Sequence, residues 1–423
     1  MRRMREFDVV VVGAGPAGIA AAHAAAVTGV GVALVDENIS VGGQIWRGER
    51  VRPSTRQAAR WFYRLEKSRV QVIPATAVAG VARPGVLCCE SDGGPVELAW
   101  KRLVVATGAR ELFLPFPGWT LPGVTGAGGL QALVKSGLPV RGARVVVAGS
   151  GPLLLAVAAY LREHGADVRR IVEQAPAGRV ARFALGLLRH PSKAVQAVRL
   201  RARLRGIPWD RGSWPVRAEG DGRLEEVVLT DGRRTRSEPC DYLACGFGLV
   251  PNTELAEVLG CGLRDGLVAV DDRQATTTPD VHCAGEPTGI GGVDLALVEG
   301  AIAGSSAAGR SDVARKLARR RAAWRSFAKG LERAFRLRDE LQTLTADETV
   351  VCRCEDVPCG RLRRYRSWRD AKLQTRCGMG PCQGRICGAA TRVLFGWGSE
   401  SVRPPIAPVR VASLIGQSNG DEE

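Results

Sequence analysis

No run of apolar residues in this 423-residue chain approaches the roughly 18 that a membrane span needs, so no transmembrane segment is expected. Nothing apolar and cleavable precedes the first strand either. MRRMREFDVVVVGAG enters it almost at once, which predicts a cytoplasmic protein. Histidine is scarce. The four present (His23, His164, His190 and His282) show no pairing with an aspartate that would suggest a general base, and His23 reads as a structural residue of the first helix. Aromatic residues are 5% of the chain and do not interleave with the basic ones. Thus 60 Lys+Arg against 43 Asp+Glu give a net charge of +17, yet the stripe of a nucleic-acid-binding surface is missing. The charge predicts an Arg-rich exterior with a docking face for an acidic partner.

Cysteine is plentiful but uneven. Of twelve, Cys88, Cys89, Cys240, Cys245, Cys261 and Cys283 lie scattered in apolar contexts, where a small buried hydrophobe is the default. The other six fall between 352 and 387, and in a cytosolic chain such a cluster means metal rather than disulfides. Apolar content of 45% and charged content of 24% are those of a globular protein, and the length implies two to four domains.

The chain is organised around residues 8 to 36. Val9 to Val12 read as a buried parallel strand, Gly13-Ala14-Gly15-Pro16-Ala17-Gly18 follows, and Ile19 to Val27 read as a helix. Gly13 permits a tight turn, Gly15 lets a pyrophosphate approach the backbone, and Gly18 lets helix and strand touch. The N–H groups of the helix start then face the phosphates. A second strand, Val30 to Val35, ends at Asp36, placed for an adenosine ribose. A helix over 54 to 68 and short strands at 70–73, 78–81, 86–89 and 96–98 come next. Leu103 to Ala109 reads as a further buried strand ending in the small-residue turn Ala106-Thr107-Gly108.

A second copy of the loop follows. Arg144 to Ala148 is a strand, GSGPLL the loop, Leu155 to His164 a helix, and Val168 to Val172 a strand ending at Glu173. Gly149 and Gly151 hold two glycine positions. Leu154 stands in the third, where it should push the helix from its strand. Glu173 would favour NAD over NADP, so the fold is either a working nucleotide site or a silent one. Residues 310 to 345 form an amphipathic helical connector. RPPIAPVR reads as an extended arm, and the tail SNGDEE is expected to be mobile.

GAGPAG, the acid at 36, VVATGA and TTTPDVHCAGEPTGIGG (276 to 292) together resemble the pattern of two-dinucleotide-fold flavoprotein oxidoreductases. The resemblance implies an α/β fold. An FAD-binding Rossmann-like domain carries an inserted second Rossmann-like domain, as in glutathione reductase, followed by a small α-helical C-terminal 2Fe–2S domain. FAD contacts are carried over to Gly13, Gly15, Pro16, Ala17, Gly18, Asp36, Glu37, Gly43, Gln44, Ala106, Thr107, Gly108, Gly285 and Glu286. In the family a Gly-Asp pair meets the ribityl chain; Glu286 is a longer acid. The redox cysteine pair that disulfide reductases carry behind the Gly-Gly is absent, and Gln44 and Trp46 stand there instead.

VCRCEDVPCG and QTRCGMGPCQGRICG resemble the small 2Fe–2S domain related to bacterioferritin-associated ferredoxin. Two irons require four thiolates, and the resemblance puts them at Cys352, Cys354, Cys382 and Cys387. Cys377, at a position often alanine in such proteins, is the alternate, and Cys359 lies outside the two words usual in that domain, CRCE and GMGPCQGR. Gly378, Gly380 and Gly384 would let backbone amides approach the sulfurs, and Arg353 and Arg376 would offset charge or face solvent. Zinc is the competing metal.

The expected domains are 1–123 with 250–309 (FAD), 124–249 (second nucleotide fold), 310–348 (connector), 349–400 (2Fe–2S) and 401–423 (arm and tail). This arrangement resembles the larger subunit of heteromeric, dye-linked amino-acid dehydrogenases, the group of the octopine and nopaline oxidases, D-hydroxyproline dehydrogenase and hydrogen cyanide synthase. The resemblance implies an electron-relaying subunit beside a D-amino-acid-oxidase-like flavoprotein β-subunit. It leaves open a small ferredoxin-like γ-subunit, NAD or another adenine nucleotide in the second fold, an FMN at the subunit interface, and attachment to the inner membrane through the electron acceptor. An NAD(P)H-dependent reductase and a non-catalytic scaffold are the alternatives.

Overall fold

The computed structural model describes residues 3–50, 53, 55–398, 402–411 and 413; the SNGDEE tail lies outside them. The chain forms two compact units, residues 1–110 with 251–329 and 401–423, and residues 111–250 with 330–400.

The first unit is built on β1 (Arg3–Val12). Its Val9, Val10 and Val11 are buried to within 1%, as expected of a strand covered on both faces. Helix α1 (Pro16–Ala26) leads to β2 (Val32–Val35), and α2 (Arg56–Glu66) leads to β3 (Gln71–Ile73). Next come β4 (Thr76–Arg83), β5 (Val86–Ser91) and β6 (Gly94–Val105). The sheet order is β3-β2-β1-β6-β5-β4, with the strand Val281–Cys283 also on β6. The sequence predicts two strands where β6 is one of 12 residues. No glycine or proline interrupts residues 96 to 105, so the ladder with β1 runs unbroken from Val96 to Val105 save at one position. One strand therefore carries the outer hairpin at its start and the Ala106-Thr107-Gly108 turn at its end.

Helix α1 lies against the helix Gly292–Ala307. A Cβ on Gly300 would stand 2.1 Å from the Ala17 carbonyl oxygen, and one on Gly304 2.0 Å from that of Ala21. The pair of glycines four apart permits backbone-to-backbone approach that no other residue allows.

The second unit holds a five-stranded parallel sheet. Its order is Trp209–Arg211, Asp167–Glu173, Arg144–Gly149, Tyr242–Gly246 and Val124–Gly126. A three-stranded antiparallel sheet spans Trp214–Glu219, Glu226–Thr230 and Thr235–Pro239. The cysteine segment belongs to this unit. It comprises a hairpin of Val350–Cys352 and Val357–Pro358, then the helices Trp368–Thr375 and Cys387–Phe395. Trp119 Nε1 donates to the Val350 carbonyl (2.6 Å), and Thr345 Oγ1 to that of Pro115 (2.8 Å). Leu341 shares a buried core with Phe116, Trp119 and Val146.

Candidate functional site

In the first unit the loop Gly13–Gly18 turns where β1 ends. Gly13 has φ +102°, and a Cβ there would meet the Ala106 carbonyl oxygen at 2.2 Å. Gly18 is still tighter, 1.7 Å from the Gly13 carbonyl oxygen, so it closes the helix onto the loop. Gly15 is different: its nearest neighbour would be Gly43 Cα at 4.0 Å, leaving its face open. That is the position where a pyrophosphate comes against backbone. Gly43 (φ +58°) supplies the opposite wall, where a Cβ would come 2.9 Å from Gly15 Cα.

Asp36 is 8% exposed and braces the loop itself, accepting the Ala14 amide on Oδ2 (2.5 Å) and the Asn38 amide on Oδ1 (2.8 Å). Glu37 next to it is exposed. Asn38 in turn accepts from Arg47 (3.0 Å), which also reaches Gln44 Oε1 (3.3 Å). Sequence reasoning passed over both residues, since nothing in SVGGQIWRGER distinguishes this arginine from its neighbours.

The Ala106–Gly108 turn is clamped by Asn252. Thr107 Oγ1 donates to its carbonyl (2.6 Å), Asn252 Nδ2 donates to the Thr107 carbonyl (2.9 Å), and the Asn252 amide bonds Gly108 (3.0 Å). Asn252 directly follows the strand Leu249–Pro251, and nothing in the sequence around it distinguishes it. Gly285 (φ +82°) would place a Cβ 2.8 Å from Ala17 Cβ, bringing the third motif against the first.

Glu286 folds back, accepting the amides of Gly291 (3.1 Å) and Gly292 (3.0 Å) at the start of the helix Gly292–Ala307. Its longer arm reaches that helix start, which attracts negative charge. Burial pushes its carboxyl up to about 7; the two amides pull it back, and Glu299 adds to the rise. Glu299, 1% exposed, accepts from Gly285, Thr288 and Arg325 beneath the motif. Between the ordinary carboxylate value and about pH 7 the folded chain keeps a proton on Glu286 that the unfolded chain has released. The contribution of this group is therefore full at low pH and is lost as pH rises through 7. Comparing flavin-free Glu286→Gln with the parent, the difference in melting temperature should move by ~2–4 °C in favour of the variant between pH 5 and pH 8. A pH-independent difference would contradict this.

In the second unit Gly149 (φ +139°) and Gly151 (φ +95°) make a loop of the same kind. Leu154 is buried without obstruction because Gly246 makes room, with its Cβ position 3.4 Å from Leu154 Cδ2. Glu173 accepts the amides of Gly151 (2.7 Å) and Ala175 (2.8 Å). What differs is the cover. Ser150 Oγ donates to the Phe335 carbonyl (2.8 Å). Gln174, fully buried, donates to Ser150 Oγ (2.8 Å) and accepts from the Arg338 amide (3.2 Å). The Phe335 ring stands 3.8 Å from where a Gly151 Cβ would be, so a side chain packs where Gly15 has only glycine backbone near it.

The cysteine cradle is in the same unit. The sulfurs of Cys352, Cys377 and Cys387, all buried, lie within 4.8 Å of one another. Cys354, exposed, and Cys382, half-buried, border the same cavity as Cys352 and Cys387. Cys359 is also buried but takes its bond from Arg363 Nε (3.5 Å). The Gly378 and Glu355 amides reach Cys352. Burial pushes the Cys382 thiol up, but the amides of Ile386, Gly384 and Arg385 and the bond with Cys354 outweigh it and leave it lowered. Amides converging on sulfur fit a metal-bound thiolate.

Of the three glycines expected to admit amides, Gly378 and Gly384 do so. Gly380 instead lets the loop lie on Cys354, whose Cβ would be 2.3 Å from its own. Arg376 pairs with Glu355 (2.8 Å) and Arg353 stacks over Trp119 (5.4 Å), so each arginine has a protein partner. A cavity of about 340 Å³ borders Cys352, Cys354, Cys382 and Cys387, with Phe113 and Trp119 forming its apolar side.

His23 and His282 are pushed toward the neutral form by burial, and each leaves Nδ1 without a partner. Neither is a poised base.

Residues 7–304 match the pyridine nucleotide-disulphide oxidoreductase family, and the chain belongs to it. It is an FAD oxidoreductase, with a cysteine cluster compatible with iron–sulfur. It is 34% identical to the HcnB subunit of the hydrogen cyanide synthase of Pseudomonas aeruginosa, over 89% of this chain and 90% of that one. It is 31% identical to the first-lettered subunit of the opine oxidase of Rhizobium meliloti, over 97% and 100%. In fold it matches the crystal structure of L-proline dehydrogenase from P. horikoshii, with a TM-score of 0.67 and 19% identity over 98% of this chain and 80% of that one. Among the described residues no helix is long and apolar enough to cross a membrane.

Proposed function

We propose that this chain is the electron-transferring flavoprotein and iron–sulfur subunit of a heteromeric, dye-linked amino-acid dehydrogenase. Its partner would be a D-amino-acid-oxidase-like flavoprotein that oxidises an opine, D-hydroxyproline or a glycine-type amine. The observation that carries the proposal is the joint presence, in one chain, of an open dinucleotide loop and a thiol cradle. Two relatives named as subunits of an oxidase and a synthase support a multi-chain assembly.

Gly13, Gly15, Gly18, Asp36, Thr107, Gly285 and Glu286 would hold FAD, and Cys352, Cys354, Cys382 and Cys387 the 2Fe–2S centre. Bound there, FAD supplies paired electron uptake with single-electron release, which joins amine oxidation to a one-electron carrier. The chain's own contribution is placement. Asp36 fixes the phosphate loop, Asn252 fixes the turn at Thr107, and the amides around Cys352 and Cys382 favour thiolate over thiol.

Purified alone, the chain should leave opines and D-hydroxyproline unoxidised with a dye acceptor, and addition of the partner flavoprotein should restore turnover. Oxidation by the isolated chain would refute the division of labour. The covered loop at Gly151 also argues against the NAD(P)H-reductase alternative. In stopped flow, NADH should bleach the flavin at least about 100-fold more slowly than the assembled enzyme turns over, a barrier difference of roughly 2.7 kcal/mol. Bleaching at the turnover rate would revive that alternative.

A further inference from the structure

Five cysteines reach a cradle that needs four. We propose that Cys377 is a non-ligating thiol whose S–H donates to the Cys387 sulfur and raises the reduction potential of the 2Fe–2S centre. The inference rests on the reading that the cradle holds such a centre.

Each iron of a 2Fe–2S centre takes two thiolates. One cavity is bordered by four of the thiols, Cys354 and Cys382 toward solvent and Cys352 and Cys387 as an interior pair. Cys377 does not border it. Its sulfur lies within 4.8 Å of those of the interior pair, and the residue is 0% exposed.

The backbone explains how it arrives there. Arg376 adopts a left-handed conformation (φ 64°) that ends the helix Trp368–Thr375, and the Cys377 amide then donates to Thr375 Oγ1 (3.2 Å). The same turn continues through Gly378 (φ +80°), pressed against Trp368, whose amide reaches Cys352. A single turn thus serves both sulfurs of the interior pair, with a backbone amide for one and a thiol for the other. A thiol is a weak donor, but a buried hydrogen bond is not diluted by water. The added electron increases negative charge on the sulfurs, so a donor stabilises the reduced state more than the oxidised one.

The test uses the full chain purified anaerobically, with iron analysis, EPR and potentiometry. Cys377→Ala should keep two irons and a parent-like EPR spectrum. Its reduction equilibrium should fall about tenfold, a shift of ~59 mV to more negative potential for one electron. Cys377→Ser, close in size and able to donate through its hydroxyl, should recover part of that shift with thiolate-type EPR. Loss of iron from Cys377→Ala with flavin retained, an oxygen-ligated spectrum in Cys377→Ser, or an unmoved potential in both would each overturn the proposal. A parent chain without iron would overturn the cluster reading beneath it, and the proposal with it.

Discussion

Cys352→Ala is expected to give a yellow protein without iron. Cys352 is buried with its sulfur within 4.8 Å of that of Cys387, so its removal would leave a 2Fe–2S centre one thiolate short. Iron should fall from about two per chain to under ~0.2, since four thiolates are the requirement. Flavin content should hold, because Gly13, Asp36 and Thr107 lie in the other compact unit. Dye reduction in the assembled enzyme should drop at least ~100-fold, the upper end of what loss of even an outer partner does at a metal site. Iron analysis alongside the flavin absorbance decides it. Retained iron would mean that Cys377, within 4.8 Å of the same sulfurs, ligates in place of Cys352.

The second large effect separates two glycines of one loop. Gly18→Val should abolish flavin binding and lower stability sharply, because its Cβ would overlap the Gly13 carbonyl oxygen at 1.7 Å and backbone cannot give way cheaply. Gly15→Ala should fold normally, since its Cβ meets nothing nearer than 4.0 Å. It should nevertheless weaken FAD by about 1–3 kcal/mol, roughly ten- to a hundredfold, because the methyl stands where the phosphate would approach. Melting curves and equilibrium flavin titration of the two variants provide the check. An alanine variant that binds FAD as tightly as the parent would mean that the open face at Gly15 is not the phosphate seat.

Much of this was legible from the amino acids alone, because local chemistry determines it. A run of valines followed by glycines at fixed offsets can make few other structures, and both loops lie where that pattern puts them. The cysteine words pointed to one metal-binding segment, and the sulfurs of Cys352, Cys377 and Cys387 do gather there, while Cys359 bonds Arg363. What escaped depends on partners distant along the chain. Gln174 follows the expected acid by one residue and looks ordinary, yet its amide holds a segment 164 residues away. Gly300 and Gly304 are required by the Ala17 and Ala21 carbonyls that lie against them, partners nearly three hundred residues away along the chain. Leu154 looked like an obstruction because the compensating Gly246 belongs to a strand far along the chain. Glu286 showed its extra methylene plainly, but not that the added length would carry the carboxylate to Gly291 and Gly292.

The cover that Phe335 to Arg338 lays over Ser150 and Gln174 bears on how such a chain can be taken apart. An appended metal-binding module would ordinarily be separable by proteolysis or truncation at its linker. Here the linker fills a notch in the preceding fold, so cutting at residue 330 would strip three hydrogen-bonding partners from a fully buried glutamine and its serine neighbour. Neither fragment inherits a finished surface, and the two pieces are inseparable by excision even though they lie far apart in the chain.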